Sequence, residues 1–104
     1  MAGGETPRAL TSQQALRALR DALSIGTAKI GKHIREQMVN RQFDVQDIFN
    51  SAWRGAIRKA PEYDIKFRTW EYVVEGTDID GVRLEVVFAV DESMHVTLIT
   101  GRRT

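Results

Sequence analysis

His33, Gln37 and Arg41 recur at four-residue spacing within TAKIGKHIREQMVNR, and with Lys29, Lys32 and Arg35 close by they make the densest basic region of the chain. On a helix that spacing puts the three side chains in one row. An imidazole exchanges a proton near neutral pH, and guanidinium groups hold a phosphodiester and stabilise the charge that grows on it during cleavage. RNA cleavage without a metal needs little more. In this reading His33 and Arg41 are catalytic, while Arg35 and Gln37 hold the substrate. The bland alternative is that these side chains hydrogen-bond carbonyls where the helix meets a sheet and otherwise face water.

Other chemistries fall away. The chain has no cysteine, which excludes a disulfide framework, a thiolate metal site and a cysteine nucleophile. It lacks a P-loop, a dinucleotide fingerprint, an HExxH pair, an EF-hand loop and a nucleophile elbow. Asp78 and Asp80 in DIDG read as hairpin-turn residues, and His33 and His95, the only histidines, have no histidine near them in sequence. Neither a metal nor a cofactor is therefore expected. The start, MAGGETPRAL, has neither the basic nor the apolar region of a signal peptide, and apolar runs are short, so a cytoplasmic protein without a membrane segment is expected.

The elements that must position the basic row follow from periodicity. Residues 1–10 carry Gly3, Gly4 and Pro7 without a period and read as a flexible tail; residues 11–104 read as a single domain. Thr11 with Gln14 has the form of a capping box opening a first helix, which Gly26 ends. Residues 27–31 fit either helix or extended chain, and the middle helix follows. Asp44 caps a third helix in which Val45, Ile48, Phe49 and Ala52 recur at helical spacing.

Beyond Pro61 the period drops to two, in KFRTWEYVVEG, VRLEVVFAVD and MHVTLIT. The expected fold is α+β: N-terminal helices packed on one face of a three- to four-stranded antiparallel β-meander, with residues 56–60 as the extra edge strand. Keeping one face apolar pairs Trp70 with Phe88, Tyr72 with Val86, and Val86 with Leu98. Trp70, Tyr72, Phe88 and Trp53 are read as core, which argues against stacking on nucleic-acid bases. The opposite sheet face holds Val73, Val87, Ala89 and Ile99 among charges, and points to cover by another chain, such as a second copy in a homodimer, or by the N-terminal segment.

Charge is segregated. Residues 1–60 carry ten Lys/Arg against five Asp/Glu, residues 61–100 three against nine, and Arg102 and Arg103 follow. Such asymmetry fits an anionic partner for the basic half, or two halves that attract each other on folding.

The residue order HIREQMVNRQFDVQDIF, then GAI, then WEYVVEGTDIDGVRLEVVFAVDE and finally VTLIT resembles the domain-of-unknown-function 4258 family of small bacterial proteins, from about residue 26 to residue 100. In that family a histidine opens a helix, an arginine follows eight positions on, and an aspartate-led helix precedes a meander containing G-x-D-x-D-G. These correspond here to His33, Arg41, Asp44 to Asp47 and Gly76 to Gly81. Midway between the first two, where such families often carry an arginine, stands Gln37. The ending VTLITGRR is similar to the last strand of BrnT-type toxins, within the broad RelE/barnase-like ribonuclease architecture. The resemblance implies a groove holding His33 and Arg41, with Thr100 and Arg102 arriving on the last strand as substrate-binding residues. It also implies RNA as substrate and a cognate antitoxin-like protein as partner. The competing expectation is a non-catalytic protein-interaction module.

Overall fold

The computed structural model describes residues 6–103. The chain runs through helix α1 (Ser12–Ile25), strand β1 (Lys29–Ile30), helices α2 (Lys32–Val39) and α3 (Val45–Arg54), and strands β2 (Glu62–Asp64), β3 (Thr69–Thr77), β4 (Arg83–Val90) and β5 (Val96–Arg102). Among the described residues these three helices pack on the apolar face of a five-stranded sheet ordered β1-β5-β4-β3-β2. The expected α+β arrangement is present, on a sheet broader than predicted. Lys29 and Ile30 resolve the open segment: they are extended and run parallel to β5, opposite Thr97 and Leu98. The edge strand predicted at residues 56–60 shrinks to a single bridge between Ala56 and Glu75, and pairing resumes at Glu62–Asp64.

Local chemistry explains the helix ends. Thr11 accepts from the Gln14 amide while the Gln14 side chain accepts from the Thr11 N–H, and Asp44 and Asp47 repeat this exchange at α3. Gly26, at φ 86°, closes α1, with the Thr27 N–H reaching back to the Ala22 carbonyl. Helix α2 ends the same way without a glycine: Arg41 takes φ 60°, its N–H donates to Met38 O, and the Gln42 N–H donates to Gln37 O.

Register departs from the prediction by two residues while keeping the same face. Trp70 opposes Val90, Tyr72 opposes Phe88, Val74 opposes Val86, and Phe88 opposes Leu98. The cause lies in the turns. Asp78 N–H donates to Val82 O and Gly81 N–H to Asp78 O, which makes a three-residue loop with Gly81 left-handed at φ 83°. The second hairpin has the same form, from Asp91 to His95, with Met94 at φ 66° where the first has glycine. In each turn the leading aspartate Oδ1 accepts two backbone N–H groups: Asp80 and Val82, or Ser93 and His95. A side chain at Met94 bears left-handed strain of roughly 1 kcal/mol. Met94→Gly is therefore expected to raise the unfolding free energy by at most about 0.5 kcal/mol after the added freedom of the unfolded chain is counted, measurable by urea titration.

A bulge at Ile99 then breaks the alternation of β5, pairing Thr100 with Val87 and Gly101 with Val86. Gly101 therefore meets the core. Its missing side chain admits the Phe43 ring, which a Cβ would approach to 2.5 Å.

Leu19, Ile34, Ile48, Tyr72, Val86, Phe88 and Leu98 form the buried centre, with Tyr72 and Phe88 stacked at 5.5 Å. Each such side chain contributes about 1.5–3 kcal/mol by leaving water. Of the tail expected at residues 1–10, the first five lie outside the described residues. Beyond them, Trp70 Nε1 donates to Pro7 O at 2.7 Å and the Leu10 N–H donates to the Tyr72 hydroxyl at 2.9 Å, so this stretch is tied to β3. On the opposite sheet face Val87 and Ala89 are already buried within the single chain. Around them Arg83 bridges Glu75 and Glu85, and Lys59 reaches Glu85. Burial, with Asp64 and Glu62 close by, raises the Glu71 carboxyl above its ordinary value there, against the opposing pull of Arg102.

Candidate functional site

The basic row does not persist as a row. Helix α2 is only two turns long, so His33 sits exposed in its first turn, Gln37 is buried, and Arg41 lies beyond its end in the left-handed turn. The i, i+4, i+8 spacing presumed a helix continuing through Arg41, and the termination at Asn40 removes that premise. His33 is exposed and makes no side-chain hydrogen bond among the described residues. Arg35 donates to the Ile30 carbonyl at 3.2 Å and braces the β1–α2 corner. Arg102 is exposed at the end of β5, in register with Glu85.

Gln37 and Thr100 do come together. The Gln37 amide oxygen accepts from Gly101 N–H at 2.9 Å and from the Thr100 hydroxyl at 3.1 Å, while its nitrogen donates to Gly101 O at 2.8 Å. An amide that both accepts from and donates to one residue of β5 stands in for a neighbouring strand. β1 is too short to reach this part of the edge, and Gln37 satisfies the backbone groups it leaves open. The contact joins helix to sheet and uses the polar atoms that a substrate would need.

Asp78 of DIDG serves a second junction. Arg103 donates to Asp78 Oδ2 at 2.6 Å and to Gln42 O at 2.8 Å, linking the end of β5 to the first hairpin and to the loop before α3. This guanidinium, assisted by the Val82 and Asp80 N–H groups, holds the buried Asp78 carboxyl below its ordinary value. Asp47 Oδ1 accepts from Ile79 N–H, and the Asn50 amide donates to the Thr77 and Asp78 carbonyls. The hairpin tip is thereby fastened to α3. Among the described residues no group of three or more His, Asp or Glu side chains could hold a metal ion.

An exposed apolar surface lies on α3. Ile48, Ser51 and Ala52 turn inward, whereas Val45 is 46% exposed and Trp53 45% exposed. Phe49 stacks on Trp53 with ring centres 5.7 Å apart, and Ile79, 56% exposed, completes an open groove of about 580 Å³ with Gln46 and Asn50. Trp53, read from the sequence as core, is thus largely a surface residue. A second groove, which also carries charged residues, continues past it over Gln13, Leu16, Arg17, Arg20 and Asp21 of α1. Arg20 turns its guanidinium onto the Ala52 and Trp53 carbonyls, which fixes the end of α3 under the indole. Sequence carries no signal of this exposure, because Val45, Ile48, Phe49, Ala52 and Trp53 fall at i, i+3, i+4, i+7 and i+8, the spacing of an ordinary single buried stripe.

Fold and site together define a small α+β domain in which Gln37 of the predicted row serves a helix–sheet junction and Arg35 the β1–α2 corner, while His33 and Arg41 are exposed. Residues 30–100 match the model of the family described as a domain of unknown function, DUF4258, and the chain belongs to that family. No curated protein and no solved structure matches it. Among the described residues no helix is long and apolar enough to cross a membrane.

Proposed function

We propose that this domain is a non-catalytic protein-interaction module that docks through the exposed face of α3. The observation that carries the reading is the stacked Phe49–Trp53 pair, continuous with Val45 and Ile79 on one open apolar surface. Folding gains little from leaving these side chains in water, and contiguous apolar patches of this kind mark sites of contact. The sheet face with Val73, Val87 and Ile99 offers less, since Val87 is covered and a charged network surrounds it.

The test is a photoreactive phenylalanine analogue at Gln46 in the full chain, expressed in its native cells, with the same group at Glu92 as control. The expected result is a protein adduct at position 46, identified by mass spectrometry, that is absent at position 92 and lost on Trp53→Glu. Irradiation that gives no protein adduct at 46 contradicts the reading.

A second reading is favoured by one observation: Lys29, Lys32, His33 and Arg35 are all exposed around the start of α2, with Glu36 the one acid in that helix. It makes the domain a metal-independent ribonuclease or toxin-like RNA-binding domain of the RelE/barnase-like kind, with a cognate antitoxin-like partner. His33 would transfer the proton, Arg41 and Arg35 would hold phosphate, and Thr100 and Arg102 would close the groove. RNA incubated with the wild-type chain and with the His33→Ala, Arg41→Ala double variant decides it. Cleavage by the wild type alone supports this reading, and intact RNA in both, or equal cleavage by both, ends it.

A further inference from the structure

One cavity is fenced by the turns before β3 and after β4 and by the stretch that leads into α1. It lies at the start of β3, whereas Ile79 follows the end of that strand, and it shares no residue with the α3 groove. Its volume, about 340 Å³, is that of a small-molecule site. Leu10, Trp70, Val90 and Met94 give it an apolar wall. The Trp70 indole and the Tyr72 hydroxyl hold Pro7 and Leu10 in place as one rim.

Polar groups on this cavity keep bonding capacity that the fold does not use. Tyr72 is 2% exposed, its ring lies against Phe88 in the core, and its hydroxyl accepts from Leu10 N–H at the cavity wall. Among the described residues that hydroxyl meets no acceptor for its own proton, although buried donors are ordinarily paired. Burial raises the phenol above its ordinary value, against the opposing effect of the Leu10 bond, so the proton stays available for donation. Arg8 and Arg68, both exposed, line the same cavity, and neither forms an ion pair or a side-chain hydrogen bond among the described residues. Of the two acids on the rim, Asp91 is spent on the Ser93 and His95 N–H groups and on the His95 ring, which leaves Glu92. Two guanidinium groups against one free carboxylate favour a single negative charge. Arg68 at φ 54° and Met94 at φ 66° are also two of the three non-glycine residues held left-handed among those described, and strain of this kind gathers at ligand sites.

We infer that this cavity binds a small organic monocarboxylate with an apolar body. The carboxylate accepts from the Tyr72 O–H and from the Arg8 and Arg68 guanidinium groups, and the body lies on Trp70, Val90 and Met94. Planar guanidinium donors match a carboxylate in shape as well as charge. Inorganic phosphate would leave the apolar wall uncovered and bring added negative charge toward Glu92.

Amide nitrogen–proton correlation spectra of the isotopically labelled full chain, titrated with 3-phenylpropionate, 4-methylpentanoate, 3-phenylpropanamide and inorganic phosphate, test it. At least one of the two carboxylates should give saturable shifts at Arg8, Leu10, the Trp70 indole N–H and Met94. The amide should bind about tenfold more weakly than its acid, because it lacks the charge that strengthens each hydrogen bond. Phosphate should give no saturable shift at these groups. Tyr72→Phe and Arg68→Asn should each weaken the carboxylate about tenfold and narrow its advantage over the amide. Asparagine accepts the left-handed conformation at this exposed position, so Arg68→Asn removes the charge and keeps the turn; thermal midpoints of both variants confirm the fold. The inference is overturned by the absence of saturable shifts with both carboxylates, by equal affinity for acid and amide, by phosphate binding as tightly at the same residues, or by wild-type affinity in either variant.

Discussion

Gly76→Ala is expected to destabilise the domain by about 3 kcal/mol or more, near the upper end of over-packing effects, and to lower its thermal midpoint by roughly 12–24 °C for a chain of this size. Strand β3 passes α3 at this glycine with no room to spare. A Cβ there would collide with the Ser51 carbonyl oxygen and lie 2.7 Å from its Oγ and 2.8 Å from its Cα. Two of these atoms are backbone, so no rotamer change relieves the clash and α3 itself must move. Its displacement would also strain the Ser51 hydroxyl bond to the Leu84 carbonyl, now 2.7 Å. Gly81→Ala is the control. It has open space around the new methyl group but φ 83°, and should lose only about 1 kcal/mol through left-handed strain. Equal melting of the two variants would refute the close-approach account.

Gln37→Leu should destabilise by about 3 kcal/mol while nearly conserving volume. The loss arises from the partners left behind, since a buried donor or acceptor without a bond costs about 1–3 kcal/mol. Leucine strands the Gly101 N–H and C=O, both in a buried residue, and releases the Thr100 hydroxyl. Gln37→Glu separates the two halves of the clasp. A carboxylate can still accept from Gly101 N–H and Thr100, but it faces the Gly101 carbonyl with no proton to donate. Its deficit should therefore shrink in acid, where the protonated carboxyl regains a donor, while that of Gln37→Leu should not. Chemical denaturation at pH 7 and pH 4 measures both, and amide exchange at Gly101 should accelerate in Gln37→Leu. Unchanged stability in the leucine variant would mean that the amide does not close the sheet edge.

These two residues also show what could be read from sequence. The caps at Thr11 and Asp44 were legible because donor and acceptor lie three residues apart and their chemistry is local. The buried faces of β3 and β4 were legible because period-two alternation survives whatever the register. The register itself was not, because it depends on which amide Asp78 and Asp91 bind within their turns. Sequence likewise conceals the role of Gln37, whose partner lies 64 residues away, past a bulge that inverts the alternation of β5. Arg41 misled for a related reason: a non-glycine residue in the left-handed region ends α2 without the usual punctuation. Trp53 was placed in the core because helical spacing reports that a residue lies near an apolar stripe, not how far around the helix that stripe can be covered.

The central claim is that the working surface is the exposed face of α3 and not the basic start of α2. It is tested most directly by placing the photoreactive phenylalanine analogue at Gln46 and, separately, at His33 in the full chain in its native cells. A protein adduct at position 46 that is lost on Trp53→Glu, with none at position 33, is the predicted result. An adduct at position 33 alone, or none at either position, would contradict the account.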